Sequence, residues 1–472
     1  MTQPCDLSAV EARRLIGAKK LSPTELLESN LARIEKTNAR FNAIVAMDAD
    51  AARREAKAVE AKLAKGEDIG LLGGLTIGVK DLQATKGLRT TKGSLIYKDD
   101  VPAADEIGVA NVRRAGGVIL AKTNTPEFGA GANTTNRVYG PTGNPFDPEK
   151  TCAGSSVGSA TALALGQVAL ATGSDLGGSL RTPAGFCGVA GYRPSPGTVP
   201  SVERAATLFP FSVNGPMGRT MEDAHLLLMA QIGRDKRDPY NSSDNASLPQ
   251  RLAPADIGGM RVAISTDLGC APIDKNIAKV FEARAKVIGS AFREASVAAP
   301  DFGPVHETFE VHRAMYFVAA HRGRLEKQRD LLDRNVIDNT ERGMKMSLAD
   351  VSAANVNQTE IYKRYLAFFK DFDVLVCPAA SVSPFPHKQL FIEEMNGEKM
   401  PTYMRWLAIT YAPTVALACG AVIPCGVDHL GMPFGIQVLG PNGADAKVLA
   451  VALALEQVLA ANAETARPVP KI

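Results

Sequence analysis

Thr151-Cys152-Ala153-Gly154-Ser155-Ser156-Val157-Gly158-Ser159 and, a short apolar interval later, Gly173-Ser174-Asp175-Leu176-Gly177-Gly178-Ser179-Leu180-Arg181-Thr182-Pro183 form the stretch on which the reading of this chain turns. Between the two Ser/Gly turns lie a helical run, Ser159–Leu165, and a β-rich run, Val168–Thr172. A helix and a strand punctuated by glycine-rich turns are the repeating unit of a layered α/β sheet. The same alternation extends upstream through Leu75–Val79, a charged and apolar segment ending at Ala115, and Val118–Ala121, and downstream to about Arg219.

Beyond a polar, turn-rich connection at Asp235–Pro254, read as a surface connection or lid, the alternation resumes. Arg261–Ser265 is expected to be a strand, Lys275–Ala295 a helix, and Glu310–Leu332 a long helix with His312 and His321 on its surface or in a groove. Asp373–Pro378 reads as a buried strand and Ala444–Ala460 as the closing helix. The uncharged run Trp406–Val427 is long enough for a membrane span but carries Pro413, Gly420, Pro424 and Gly426, so it reads as strand, turn, strand inside the core. Upstream, Ser22-Pro23-Thr24-Glu25 is an N-cap, an N1 proline and a capping-box glutamate, followed by Leu26, Leu27, Leu31 and Ile34 on one stripe. A second helix, Ala49–Lys65, stops at Gly66.

The chemistry follows from the same two turns. A glycine-rich turn ending in a serine sets backbone N–H groups beside a hydroxyl, the arrangement that attacks a carbonyl and holds the resulting oxyanion. Asp175-Leu176-Gly177-Gly178 ahead of Ser179 lets several amides approach one oxygen, each worth about 3 kcal/mol in the transition state. Ser179 is the candidate nucleophile, against the plainer reading of Gly-Gly-Ser as a tight turn.

Lys80, at the end of the apolar strand Leu75–Val79, is the candidate base. It can serve only if burial brings its pKa from ~10.4 to near 7, at about 1.4 kcal/mol per unit. Asp81 alternates to the other strand face and is not expected to pair with it. Ser155 is either a helix N-cap or a hydroxyl relay between lysine and nucleophile. A literal Gly-x-Ser-x-Gly, Gly154–Gly158, nominates Ser156 instead, but that reading needs a late histidine, and only His387 and His429 are placed for it. A phosphate cradle at Gly173–Ser179 lacks the lysine that should follow its last glycine.

Composition narrows the partners. The chain has 472 residues, 45% apolar and 22% charged, with net charge +3, which gives no reason to expect nucleic acid or an anionic membrane. Seven scattered cysteines without a C-x-x-C pair indicate neither a disulfide framework nor a zinc site, and with no signal peptide in view a cytoplasmic location is expected.

Lys80, the Gly-Ser-Ser-x-Gly-Ser cluster and the Gly-Ser-Asp-x-Gly-Gly-Ser-x-Arg run resemble, in order and spacing, the motifs of the amidase signature family. Further blocks agree: Lys122-Thr123-Asn124, Asn136, Tyr139–Thr142, Asn144-Pro145, Cys187–Val189, Gly215–Thr220 and Met432–Gln437. The resemblance covers nearly the whole chain, most firmly residues 72–224. It implies a single α/β domain with a mixed central sheet flanked by helices on both faces: a helical segment over 1–65, a catalytic core over 66–235, a variable helical or lid segment over 236–370, and a return to the same sheet over 371–472.

It also implies a Ser-cisSer-Lys triad, with Ser179 as nucleophile, Ser155 as a relay preceded by a cis peptide, and Lys80 as base. The oxyanion hole maps to the amides of Leu176, Gly177, Gly178 and Ser179, with Ser156, Asp175 and Arg181 in support. Substrate-selecting loops are placed at Gly129–Thr134, with Gly129, Ala130, Gly131 and Ala132 against the substrate, at Thr207–Val213, and at 310–325 and 384–406. Their aromatic and apolar content favours apolar or aryl groups.

The implied activity is cleavage of small amides without metal or cofactor, by a monomer or homodimer. Carbamates or aryl esters are alternative substrates. A glutaminase-type subunit of an amidotransferase is the rival reading. Two departures from the family pattern stand out: Ala153 and Val157 replace glycines, so that Val157 is expected to narrow the leaving-group side, and Gly420 replaces a frequent proline.

Overall fold

Residues 3–241 and 248–472 are described by a computed structural model of the chain. At the N-terminal end the capping box forms as its sequence requires. Ser22 Oγ accepts from the Glu25 amide at 3.0 Å and Glu25 Oε2 accepts from the Ser22 amide at 2.7 Å, opening the helix Pro23–Phe41. A second helix, Ala49–Ala64, is capped by Asp48.

The strands, in chain order, are β1 (Ile44–Met47), β2 (Thr76–Lys80), β3 (Val118–Thr123), β4 (Leu170–Asp175), β5 (Ala190–Arg193), β6 (Val213–Gly218), β7 (Arg261–Ile264), β8 (Glu294–Val297), β9 (Val374–Pro378), β10 (Glu394–Met395), β11 (Glu398–Lys399), β12 (Cys419–Val427) and β13 (Pro433–Gly440). β10 and β11 pair only with each other. The other eleven form one sheet in the order β1-β3-β2-β4-β6-β5-β12-β13-β9-β7-β8. The groups β3-β2-β4 and β9-β7-β8 are parallel, and the strands between them run antiparallel, so the sheet is mixed.

Alternate residues feed cores on opposite faces. Along β3, Val118 and Leu120 pack with the helices Pro23–Phe41, Ala49–Ala64 and Val157–Ala164. Ile119 enters a different core with the helices Ala9–Gly17, Ile107–Arg114 and Met221–Gln231. Helices therefore cover both faces of one continuous sheet, the layered α/β arrangement that the alternation predicts, with the mixed strand directions that the family resemblance implies.

Four expectations change. Trp406–Val427 is a short helical turn, the helix Ala408–Val415 and then β12, not two strands. Every residue of Ala408–Val415 is buried, so the run carries no periodicity to mark it as helical. The helix from Lys275 ends at Ser290, and Glu294–Val297 pairs as edge strand β8. His312 is buried against Phe209 and Phe211, whereas His321, packed against Phe128 and Phe317, lines a cavity and so keeps the groove position expected of it.

The connection after Asp235 is not wholly superficial either, because Asp238 forms a buried ion pair with Arg204. Ser242, Ser243, Asp244 and Asn245 of that connection lie outside the described residues. No helix among the described residues is long and apolar enough to cross a membrane.

Candidate active site

The parallel register of β2 and β4 aligns Gly78 with Ala171, which brings Lys80 level with Gly173, at the carboxyl ends of both strands. Ligands of open α/β sheets bind at these ends. Ile77 and Val79 point into one core, so Lys80 points to the opposite face, toward the turn that opens the helix Val157–Ala164. Its side chain is fully buried, and Nζ donates to Ser155 Oγ at 2.7 Å, Ser156 Oγ at 2.9 Å and Ser174 Oγ at 2.9 Å.

Burial pushes the Lys80 pKa down to about 7, partly opposed by the charge of Asp175. Asp81 lies on the other side, where its carboxylate accepts from the Thr91 hydroxyl at 2.6 Å. A second buried lysine, Lys122, donates to the Gln83 carbonyl and to Thr85 Oγ1, and to none of these serines.

The first Ser/Gly turn contains a cis peptide between Gly154 and Ser155 and is tied to the second turn by Ser156 N donating to Ser179 O at 3.2 Å. Ser155, Ser174 and Ser179 line one cavity of about 220 Å³. Ser156 sits at the helix N-cap position without making a side-chain cap, because its hydroxyl engages Lys80 and the Ser174 carbonyl. None of its hydrogen-bond partners is a histidine, which removes the support for the Gly-x-Ser-x-Gly reading.

The second turn is held from beneath. Arg181 Nε and Nη2 donate to Asp175 Oδ2 and Oδ1 at 3.0 and 3.1 Å, and Arg193 Nη1 donates to Oδ1 at 3.1 Å, all three side chains being buried. Burial works against the Asp175 carboxylate, but the two guanidiniums prevail and hold it well below the usual carboxylate range. Arg181 also donates to Gln437 Oε1 at 3.0 Å, which ties the turn to β13.

One expectation is corrected here. The Gly178 amide donates to Asp175 Oδ1 at 2.9 Å, leaving Leu176, Gly177 and Ser179 as the candidate oxyanion donors. Gly178 has φ of +124°, and a Cβ there would collide with the Thr410 hydroxyl, which itself donates to Gly177 O at 2.8 Å.

All four predicted loop segments reach the site. Gly129 lines the cavity, as do Ser212 and, from the helix Val305–Gln328, Arg313, Tyr316, Phe317, Ala320, His321 and Arg324. An adjoining cavity shares Gly129, Ser179 and Arg313 and adds Gly131, Ala132, Tyr403 and Met404. Ala130 does not join them: it packs with Phe317, Leu325 and Val336, and its carbonyl accepts from Asn335. Val157 lies in the core with Val118 and Leu163 and lines neither cavity, so its bulk narrows nothing.

Three contributors escaped the sequence reading. Ser174 stands inside the quoted motif and could have been found from the strand register. Arg193 and Arg313 carry no motif, and their place emerges only from the fold.

Comparison with known proteins places the chain in a family. The family model described as Amidase matches residues 25–449. An acylamidase of Rhodococcus erythropolis is 31% identical over 454 residues, spanning 96% of this chain and 95% of that protein. A glutamyl-tRNA(Gln) amidotransferase subunit from Acaryochloris marina (strain MBIC 11017) is 32% identical over 467 residues, spanning 93% and 95%. The crystal structure of a bacterial aryl acylamidase of the amidase signature enzymes matches with a TM-score of 0.87 and 27% identity over 96% of both chains. The chain belongs to the amidase signature family and is a hydrolase acting on carbon–nitrogen bonds.

Proposed function

We infer that this enzyme cleaves small amides through an acyl-enzyme on Ser179, with Ser155 as relay and Lys80 as base. The observation that carries the reading is the 2.7 Å contact between Lys80 Nζ and Ser155 Oγ on a cavity wall that also bears Ser179. Ser179 Oγ attacks the carbonyl carbon as its proton passes to Ser155 and that of Ser155 passes to Lys80. The oxyanion meets the amides of Leu176, Gly177 and Ser179. As the C–N bond breaks, the proton returns along the same path to the departing nitrogen. Water then attacks the acyl carbon by the same relay and releases the acid. Carbamates and aryl esters present a similar carbonyl and are expected to enter the same path.

A second reading, the ammonia-supplying subunit of a tRNA-dependent amidotransferase, is favoured by relatives such as the Acaryochloris protein. The purified chain alone separates the two. Turnover of acyl-4-nitroanilides that is abolished by Ser179→Ala supports the independent amidase, whereas activity on glutamine alone, and only with added partner chains, supports the amidotransferase role.

A further inference from the structure

We propose that Arg313 is a carboxylate subsite, and that the amides this enzyme prefers carry a carboxylate held off the scissile carbonyl by an apolar spacer. The proposal names the substrate class for the Ser179 chemistry above and rests on that reading.

Arg313 is only 8% exposed, yet among the described residues no carboxylate lies within 4.0 Å of it. The similarly buried Arg181, Arg193 and Arg204 each hold an aspartate. Desolvating a guanidinium without a counter-charge is costly. Arg219, similarly buried and without a carboxylate partner among the described residues, donates to the Cys5 and Leu7 carbonyls, whereas Arg313 faces a cavity. The group is also held in position by neutral partners. Arg313 Nε donates to Asn339 Oδ1 at 3.1 Å, Nη2 donates to Tyr403 Oη at 3.0 Å, and Asn339 Nδ2 donates to the same Tyr403 oxygen at 2.7 Å. The Phe317 ring lies 4.7 Å from the guanidinium carbon. Nη1 makes no hydrogen bond among the described residues, and Arg313 lines both cavities that contain Ser179. A planar fork with a free arm beside the candidate nucleophile suits a carboxylate.

The surroundings agree. Lys92 and Arg324 line the same cavity and are held over the Tyr97 ring at 5.0 and 5.7 Å, with no carboxylate within 4.0 Å of either among the described residues. The single carboxylate in the lining, Glu203, is exposed and pairs with none of these cations. Three cations against one carboxylate make the cavity attractive to anions. Leu82, Phe128 and Leu176 supply apolar wall for a hydrocarbon or aryl spacer.

The test compares two matched pairs of amides. On the acyl side, glutaryl-4-nitroanilide is set against its neutral isostere 5-methylhexanoyl-4-nitroanilide. On the amine side, 4-acetamidobenzoate is set against 4-isopropylacetanilide. The ratio of kcat/KM, acidic over neutral, is read on one enzyme sample, so the folded fraction cancels. In at least one pair the wild-type ratio should exceed about tenfold, fall to about one in Arg313→Gln, and be partly restored in Arg313→Lys. A wild-type preference for the neutral member of both pairs overturns the subsite, as does a ratio that Arg313→Gln leaves intact.

Failure of the hydrolytic reading looks different. Ser179→Ala would then keep turnover of the four amides. In that same variant, calorimetric binding of glutaryl-4-nitroanilide about tenfold tighter than its isostere reports anion recognition without any chemistry, and equal binding counts against the subsite.

Discussion

Lys80 Nζ and Ser155 Oγ stand 2.7 Å apart, Ser155 lines the same cavity as Ser179, and burial brings the lysine pKa down to about 7. The acting form of a base is the deprotonated one. Activity is therefore lost as pH falls through that value and regained above it. On an acyl-4-nitroanilide, log kcat/KM should rise with a slope of about one per pH unit below an apparent pKa near 7 and then level off. A profile flat down to pH 5 would remove Lys80 as the base.

Asp175 raises the Lys80 pKa by its charge and holds Arg181 and Arg193 beneath the turn that carries Ser179. Asp175→Asn should consequently move the acid limb of the pH profile to lower pH. Because the two guanidiniums then lose their buried counter-charge, the same variant should lose about 3–5 kcal/mol of stability. Chemical denaturation reads the second effect and the rate profile the first. An alkaline shift would contradict the assigned sign.

Ser155 and Ser156 both accept from Lys80, but only Ser155 lines the cavity. Ser155→Ala should lower kcat by about 10²–10⁴-fold, the range of positioned proton transfer. Ser156→Ala should cost less, since its hydroxyl braces the lysine without facing substrate. Single-turnover rates of the two variants decide, and a reversed order would transfer the relay to Ser156.

How far the sequence reached depended on locality. The Ser22 capping box, β2 and β4 follow from short local patterns, and the Lys80–Ser155 contact joins two quoted motifs, one ending β2 and the other leading through a helix into β4, its neighbour in the sheet. The helix Ala408–Val415 did not announce itself, because burial on all sides erases the period that separates helix from strand. Edge strand β8 is mostly exposed, with Val297 95% accessible, and shows no alternating pattern to read. Arg313 sits 134 positions after Ser179 on a charged helix, so its burial at a cavity that Ser179 also lines is a product of topology alone.

Gly178 occupies φ of +124° and leaves no room for a Cβ beside Thr410. Gly178→Ala should displace the turn that aims the Leu176, Gly177 and Ser179 amides, with a loss of at least about 10²-fold in kcat, the cost of one oxyanion donor. Unchanged kcat would show that the turn absorbs a methyl group without moving its amides, and would contradict the displacement expected from the Thr410 contact.

The most direct test of the account is to quench the enzyme during turnover of a slowly deacylated aryl ester and locate the acyl group by peptide mass mapping. The account predicts a single adduct on Ser179, absent from Ser179→Ala and formed far more slowly in Lys80→Ala. An adduct on Ser156 or Ser174, or none at all while product accumulates, would contradict it.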